Sequence, residues 1–133
     1  MRILIADDST TARMFVRRCL EIVGFASAEI LEAENGQEAL AIAKKQATDL
    51  LITDLNMPLM DGKTLLKWVK ANPRLNEIRV VVLSSISNPA KAEELLQLGA
   101  HAVLVKPLAP PALLGAIGDL LPKKEEDHGP LSW

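Results

Sequence analysis

The chain has 133 residues, enough for one domain of ordinary size. Hydrophobic residues make up 49% of it and the mean hydropathy is +0.17, which supports a packed core and excludes wholesale disorder. The formal charge is −2 with both signs interspersed, which excludes the basic footprint of a nucleic-acid binder.

The N-terminus, Met1-Arg2-Ile3-Leu4-Ile5, runs straight into a strand pattern, so no signal peptide is expected. Arg2 to Ala6 reads as the first strand and ends at Asp7-Asp8. Ser9 or Asp8 can cap the helix that follows, Thr10 to Val23, which stops at Gly24. Phe15, Cys19, Leu20 and Val23 recur along it at helical spacing. Phe25 to Ala28 is a connection, and Glu29 to Ala33 a second, weaker strand. Asn35-Gly36 turns into a helix over Gln37 to Lys45, with Ala39, Leu40 and Ala43 inward.

Leu50 to Thr53 is a short apolar run, which reads as a strand buried on both faces. It ends at Asp54 and opens into a loop holding Asn56, Pro58, Asp61 and Gly62. A third helix carries Leu65, Leu66, Trp68 and Val69 and ends by Asn72-Pro73, because the residue before proline resists the helical region. Ile78 to Leu83 is the most β-branched run and ends at Ser84-Ser85. Asn88-Pro89 starts a fourth helix that stops at Gly99. Ala102 to Val105 is the fifth strand, ending at Lys106-Pro107, and Pro111 to Leu121 is the last helix. Residues 1–122 therefore read as one domain, and residues 123–133 as a disordered tail or linker remnant. No apolar run is long enough to span a bilayer, and the single cysteine, Cys19, excludes an intramolecular disulfide. A cytoplasmic location without membrane insertion is the expectation.

Strand and helix alternate five times with short connections, which predicts an α/β fold: a doubly wound parallel sheet of five strands. The common order for such domains is 2-1-3-4-5, with ligands bound at the carboxyl ends of the strands. Those ends carry Asp7 and Asp8, Asp54, Ser84 and Lys106. Three carboxylates in one crevice repel one another, and a hard divalent cation removes the conflict. Carboxylate, metal, lysine and hydroxyl together suit phosphoryl transfer, and an aspartate can itself be the nucleophile.

With Asp7-Asp8, DLNMPLMDG around Asp54, VVVLSS ending at Ser84, and Lys106-Pro107 in order, the chain resembles the receiver domain of two-component response regulators from Arg2 to Leu121. The resemblance implies a flavodoxin-like (βα)5 fold and a cis Lys106–Pro107 bond. It implies Asp54 as phosphoacceptor, with Mg²⁺ held by Asp8 and Asp54, by Asp7 through water, and by the backbone carbonyl of Asn56. Ser84 would bond a phosphoryl oxygen and Lys106 would pair with it. The phosphodonor would be a sensor histidine kinase or phosphotransfer protein. The readout would be a protein target on the face made by the fourth helix, fifth strand and fifth helix, with no direct nucleic-acid contact. Such a domain is not a metabolic enzyme; it catalyses only its own phosphorylation and dephosphorylation.

The family's usual switch aromatic, three residues before the lysine, is here Val103. Signalling is therefore expected to depend on the Ser84–Ile86 loop, and the acyl-phosphate lifetime to respond to Ile86.

Two other functions compete. An aspartate-nucleophile phosphatase wants a second acid two residues after Asp54, but that position is Asn56. A flavodoxin-like flavin binder finds a loose phosphate loop in Ser9-Thr10-Thr11. Asp7 and Asp8 would oppose the flavin phosphate, and the chain contains no Tyr. Pro58 and Gly62 read as turn formers, Asp61 as a helix cap, and Trp68 as core or partly exposed packing. His101 reads as a surface residue and His128 lies in the tail. Arg13, Arg17 and Arg18 read equally as a solvated helix face or a contact for the phosphodonor.

Overall fold

The computed structural model describes residues 1–122; the tail expectation and His128 lie outside the described residues. The strands are β1 (Arg2–Ala6), β2 (Glu29–Ala33), β3 (Leu50–Asp54), β4 (Arg79–Ser84) and β5 (Ala102–Val105). The helices are α1 (Thr10–Val23), α2 (Gly36–Lys45), α3 (Gly62–Ala71), α4 (Pro89–Gln97) and α5 (Pro110–Ile117). The strands form one parallel sheet in the order β2-β1-β3-β4-β5, as expected.

The period of two along the strands divides the core. Ile3, Ile5, Leu50, Ile52, Val81 and Leu83 face α1 and α5, where they meet Val16, Leu20, Leu113 and Ile117. Leu4, Ala6, Leu51, Val80 and Val82 face the other way, onto Leu65, Leu66 and Val69 of α3, Ala39 and Ala43 of α2, and Leu95 of α4. Each fully buried Leu or Ile contributes about 1.5–3 kcal/mol. The two clusters sandwich the sheet, so its inner strands have nothing polar until their carboxyl ends. Of the polar residues buried among those described, Asp7, Thr53, Asp54 and Ser84 lie at those ends, and the fifth, Arg13, is on α1.

Helix starts follow the cap chemistry. Ser9, Asn35, Asp61 and Asn88 each accept a backbone N–H from the first turn of the helix behind them. Asp61 is thus a cap, as expected, and Ser9 rather than Asp8 caps α1.

Two expectations change, and that for Trp68 narrows to the exposed of its two readings. Val16, not Phe15, faces the core, and Phe15 is 47% exposed; the inward stripe of α1 is Arg13, Val16, Cys19 and Leu20. Spacing from an apolar residue missed it because its first member is charged. Trp68 is 56% exposed, since Leu65, Leu66 and Val69 already complete the inward face of α3. The last helix ends at Ile117 and finishes as a single 3₁₀ turn over Gly118–Leu120, the tighter winding common at helix ends.

Candidate functional site

The sheet order places the carboxyl ends of β1 and β3 side by side, and β4 and β5 next to them. Asp7 follows β1 directly, its N–H donating to the Ala33 carbonyl of β2 at 3.0 Å. Asp54 closes β3. Asp7, Asp8 and Asp54 each offer a carboxylate oxygen, and these lie within 4.8 Å of one another. Lys106, after β5, reaches into the same cleft: its Nζ is 3.0 Å from Asp7 Oδ2 and 3.2 Å from Asp54 Oδ1. The Lys106–Pro107 bond is cis.

Asp7 is held at several atoms. Its Oδ1 accepts the Ser9 N–H at 2.9 Å, and Oδ2 takes the lysine. Asp54 Oδ1 accepts the Leu55 N–H at 3.0 Å as well as the Lys106 contact. Its second oxygen takes no hydrogen bond from the described residues, and no buried side-chain oxygen there lacks a partner. That oxygen is therefore open to the cleft.

The electrostatics are unbalanced. One ammonium faces three carboxylates. Burial lifts Asp54 above its ordinary pKa; Lys106 pulls it back and Asp7 pushes it further up. Burial acts to lower Lys106, but hydrogen bonds and attraction from Asp7 and Asp54 outweigh it and raise its pKa. The donor set is all oxygen, clustered, and short of positive charge. It fits a hard divalent cation of the Mg²⁺ type, which takes one or two carboxylates and keeps several waters. Asp8 is exposed at the rim and Asn56 is exposed in the loop two residues beyond Asp54.

Ser84 closes β4 on the other side of the cleft. Its hydroxyl donates to the Ile86 carbonyl at 3.0 Å and accepts the Ile86 N–H at 3.2 Å, so here it is engaged with its own loop. Ile86 is 69% exposed. Beside it lies a cleft of about 210 Å³ lined by Ser84, Ile86, Leu95, Val103 and Val105 among others.

Sequence reasoning missed two supports of the site. Gly62 was read as a turn former. Its φ is not positive; a Cβ there would collide with the carbonyl oxygen of Asp54, so glycine lets the start of α3 close on the end of β3. Gly62 N–H donates to the Leu55 carbonyl at 2.9 Å. The second support is Arg13. It is neither solvated nor available for docking: it is 8% exposed and bonds Glu32, Thr10 and the Asp7 carbonyl. Arg17 is drawn to Glu32 too, at 2.7 Å, and only Arg18 lies on the exposed face. The available signal was a pair of charges, Arg13 and Glu32, at positions where a helix and a strand face inward.

Among the described residues no helix is long and apolar enough to cross a membrane. The model of the response regulator receiver domain matches residues 3–118. The chain is 37% identical over 114 residues to chemotaxis protein CheY1 of Helicobacter pylori, covering 85% of this chain and 90% of that one. It is 36% identical over 107 residues to chemotaxis protein CheY-3 of Vibrio cholerae, covering 80% and 81%. The solved structure of chemotaxis response regulator CheY4 of Vibrio cholerae superposes with a TM-score of 0.78 at 34% identity, covering 90% of this chain and 98% of that one. Fold, strand-end chemistry and relatives agree: the chain belongs to the response regulator receiver domains, in the company of the CheY-type chemotaxis proteins.

Proposed function

We propose that this domain is a phosphorylation-controlled switch in which Asp54 accepts a phosphoryl group from a sensor histidine kinase or phosphotransfer protein. The observation that carries it is the convergence of Asp7, Asp8, Asp54 and Lys106 in one cleft, with the second oxygen of Asp54 open to it. That oxygen forms the O–P bond as the donor's N–P bond breaks, and the leaving imidazole nitrogen keeps the electron pair. Lys106 sits beside the nucleophile, where its ammonium can pair with a phosphoryl oxygen. Ser84 donates to another once it releases Ile86. Asp7, Asp8, Asp54 and the Asn56 carbonyl would hold Mg²⁺, which supplies charge neutralisation for the transferred group.

The same reading makes the domain a signalling element of the cytoplasm rather than a metabolic enzyme. It performs only its own phosphorylation and dephosphorylation. Its output is a protein target on the face of α4, β5 and α5, adjoining the Ser84–Ile86 loop.

Incubation with a small radiolabelled phosphodonor tests this, with and without Mg²⁺, on wild type and Asp54→Ala. Label uptake is expected only in wild type with Mg²⁺. Absence of uptake, or uptake that survives the substitution, overturns the assignment.

A further inference from the structure

Two residues of this domain break the local rules of their elements. Arg13 occupies the inward stripe of α1, three residues before Val16 and seven before Leu20, where an apolar side chain belongs. Glu32 is paired in register with Ile5 of β1, and by alternation it shares the face of Ile30, which packs toward α1 and α5. Each would cost stability alone. Together they compensate: Arg13 Nε donates to Glu32 Oε1 at 2.7 Å, and Arg17 Nη2 to Glu32 Oε2 at 2.7 Å. The two guanidinium groups hold the Glu32 carboxyl below its ordinary pKa.

The arrangement does not end at the ion pair. Arg13 Nη1 donates to the backbone carbonyl of Asp7 at 2.7 Å, in a bond that is itself buried, and Nη2 to Thr10 Oγ1 at 3.2 Å. One planar group thus joins the edge strand, the first turn of α1 and the loop carrying the acids. The carbonyl it grips belongs to the peptide between Asp7 and Asp8. A peptide unit is planar, so fixing its oxygen fixes the direction in which the chain leaves toward Asp8. Asp7 is tied by its own contacts to Ser9 and Lys106. Asp8 is exposed, and its carboxylate is aimed by its backbone.

We infer that Arg13, anchored by Glu32, is a positioning residue for the cation site: it sets the Asp7–Asp8 peptide and thereby the affinity for Mg²⁺. This rests on the functional reading above. A lysine cannot replace it, because one ammonium on a flexible stem does not reproduce a planar fork with three simultaneous acceptors. Loss of a group that orients metal ligands typically weakens binding by about 10–100-fold. Charge alone predicts the opposite, since removing a cation near the site would tighten Mg²⁺ binding.

Calorimetric titration with MgCl₂ on the intact chain decides between them, for wild type, Arg13→Met, Arg13→Lys, Glu32→Gln and Arg18→Met. Both Arg13 variants are expected to raise the Mg²⁺ Kd about 10-fold or more. Glu32→Gln raises it less, and Arg18→Met, which lies outside the network, leaves it unchanged. Melting in chelator separates positioning from mere support: an Arg13 variant that lowers the midpoint while its Kd stays within twofold of wild type overturns the inference. So does tighter binding by Arg13→Met, or an equal loss in Arg18→Met. If Arg13→Met does not fold, Arg13→Lys and Glu32→Gln carry the test. Wild type that takes up no Mg²⁺ overturns the functional reading itself, whereas normal wild-type binding with unchanged variants overturns only the role of Arg13.

Discussion

The two rims of the cleft are built on opposite lines. On the β1–β3 side the two buried acids, Asp7 and Asp54, are each held more than once. Asp7 is bonded at its N–H, its carbonyl and both carboxylate oxygens; Arg13 and Glu32 brace it from behind, and Gly62 lets α3 close on the Asp54 carbonyl. On the β4–β5 side, the Ser84 hydroxyl holds only its own loop, residues 85–90 are exposed, and a cleft opens between α4 and β5. A site that must keep three like charges in register needs the first kind of construction. A surface that must report whether the site is occupied needs the second, since local opening is easiest where few buried contacts oppose it.

The sharpest way to break this contrast is to strike the braced rim where it has no slack. Gly62→Val sets a branched side chain against the Asp54 carbonyl, which is backbone and cannot step aside. A loss of about 3 kcal/mol or more is expected, read as a lower urea midpoint. A change below about 0.5 kcal/mol would mean that the rim gives way as readily as the other.

The next effect runs in the opposite direction. Burial raises the Asp54 pKa, with Asp7 adding to the shift and Lys106 opposing it. A carboxylate raised on folding contributes stability that is complete below its unfolded pKa and is lost as pH rises through its folded one. At neutral pH in chelator the ionised Asp54 is therefore a liability. Asp54→Asn is expected to raise stability by about 1 kcal/mol there, a gain that shrinks as pH falls toward the acid range. Equal midpoints for the two proteins across that range would show that Lys106 already compensates the buried charge.

The braced rim is also where the sequence was only half readable. The acids, the lysine and the serine stand directly after apolar runs, so strand ends marked them and strand order brought them together. The braces carry no such mark. Gly62 looks like any loop glycine until a backbone oxygen is found where its Cβ would stand. Arg13 and Glu32 are separated by 19 residues, and each looks like a surface charge until the packing of α1 and the register of β2 bring them together. Periodicity reads apolar faces, so it passed over an inward stripe that begins with arginine and chose Phe15 instead of Val16. Helix starts were more legible because they are local: Asp61 reads as a cap outright, Ser9 as one of two candidates, and Asn35 and Asn88 mark where their helices begin, each acting within three residues.

On the looser rim, stability and function should come apart. Ile86→Glu changes an exposed side chain and is expected to leave the urea midpoint within about 0.5 kcal/mol of wild type. The hydrolysis rate of the acyl phosphate should nevertheless change several-fold, because position 86 stands exposed beside Ser84 at the edge of the cleft, where a charged side chain would alter the approach of water. An unchanged rate, measured by decay of incorporated label, would remove Ile86 from that role.

The smallest expected effect tests whether the looser rim has room to spare. Val103 pairs with Val82 in the sheet and lines the cleft together with Ser84, Ile86, Leu95 and Val105. That space is about 210 Å³, and an apolar cavity of about 150 Å³ is enough to take a benzene ring. Val103→Phe should therefore seat its ring against Leu95 without displacing the sheet and change stability by less than about 1 kcal/mol. Its consequence lies in the loop: a ring occupying the cleft leaves Ile86 no space to fold inward. Amide exchange at Ile86, whose N–H rests on the Ser84 hydroxyl, should slow relative to wild type while the β1 and β3 amides stay as they are. A loss of about 1–3 kcal/mol would be the signature of overpacking and would mean that this rim is as filled as its opposite.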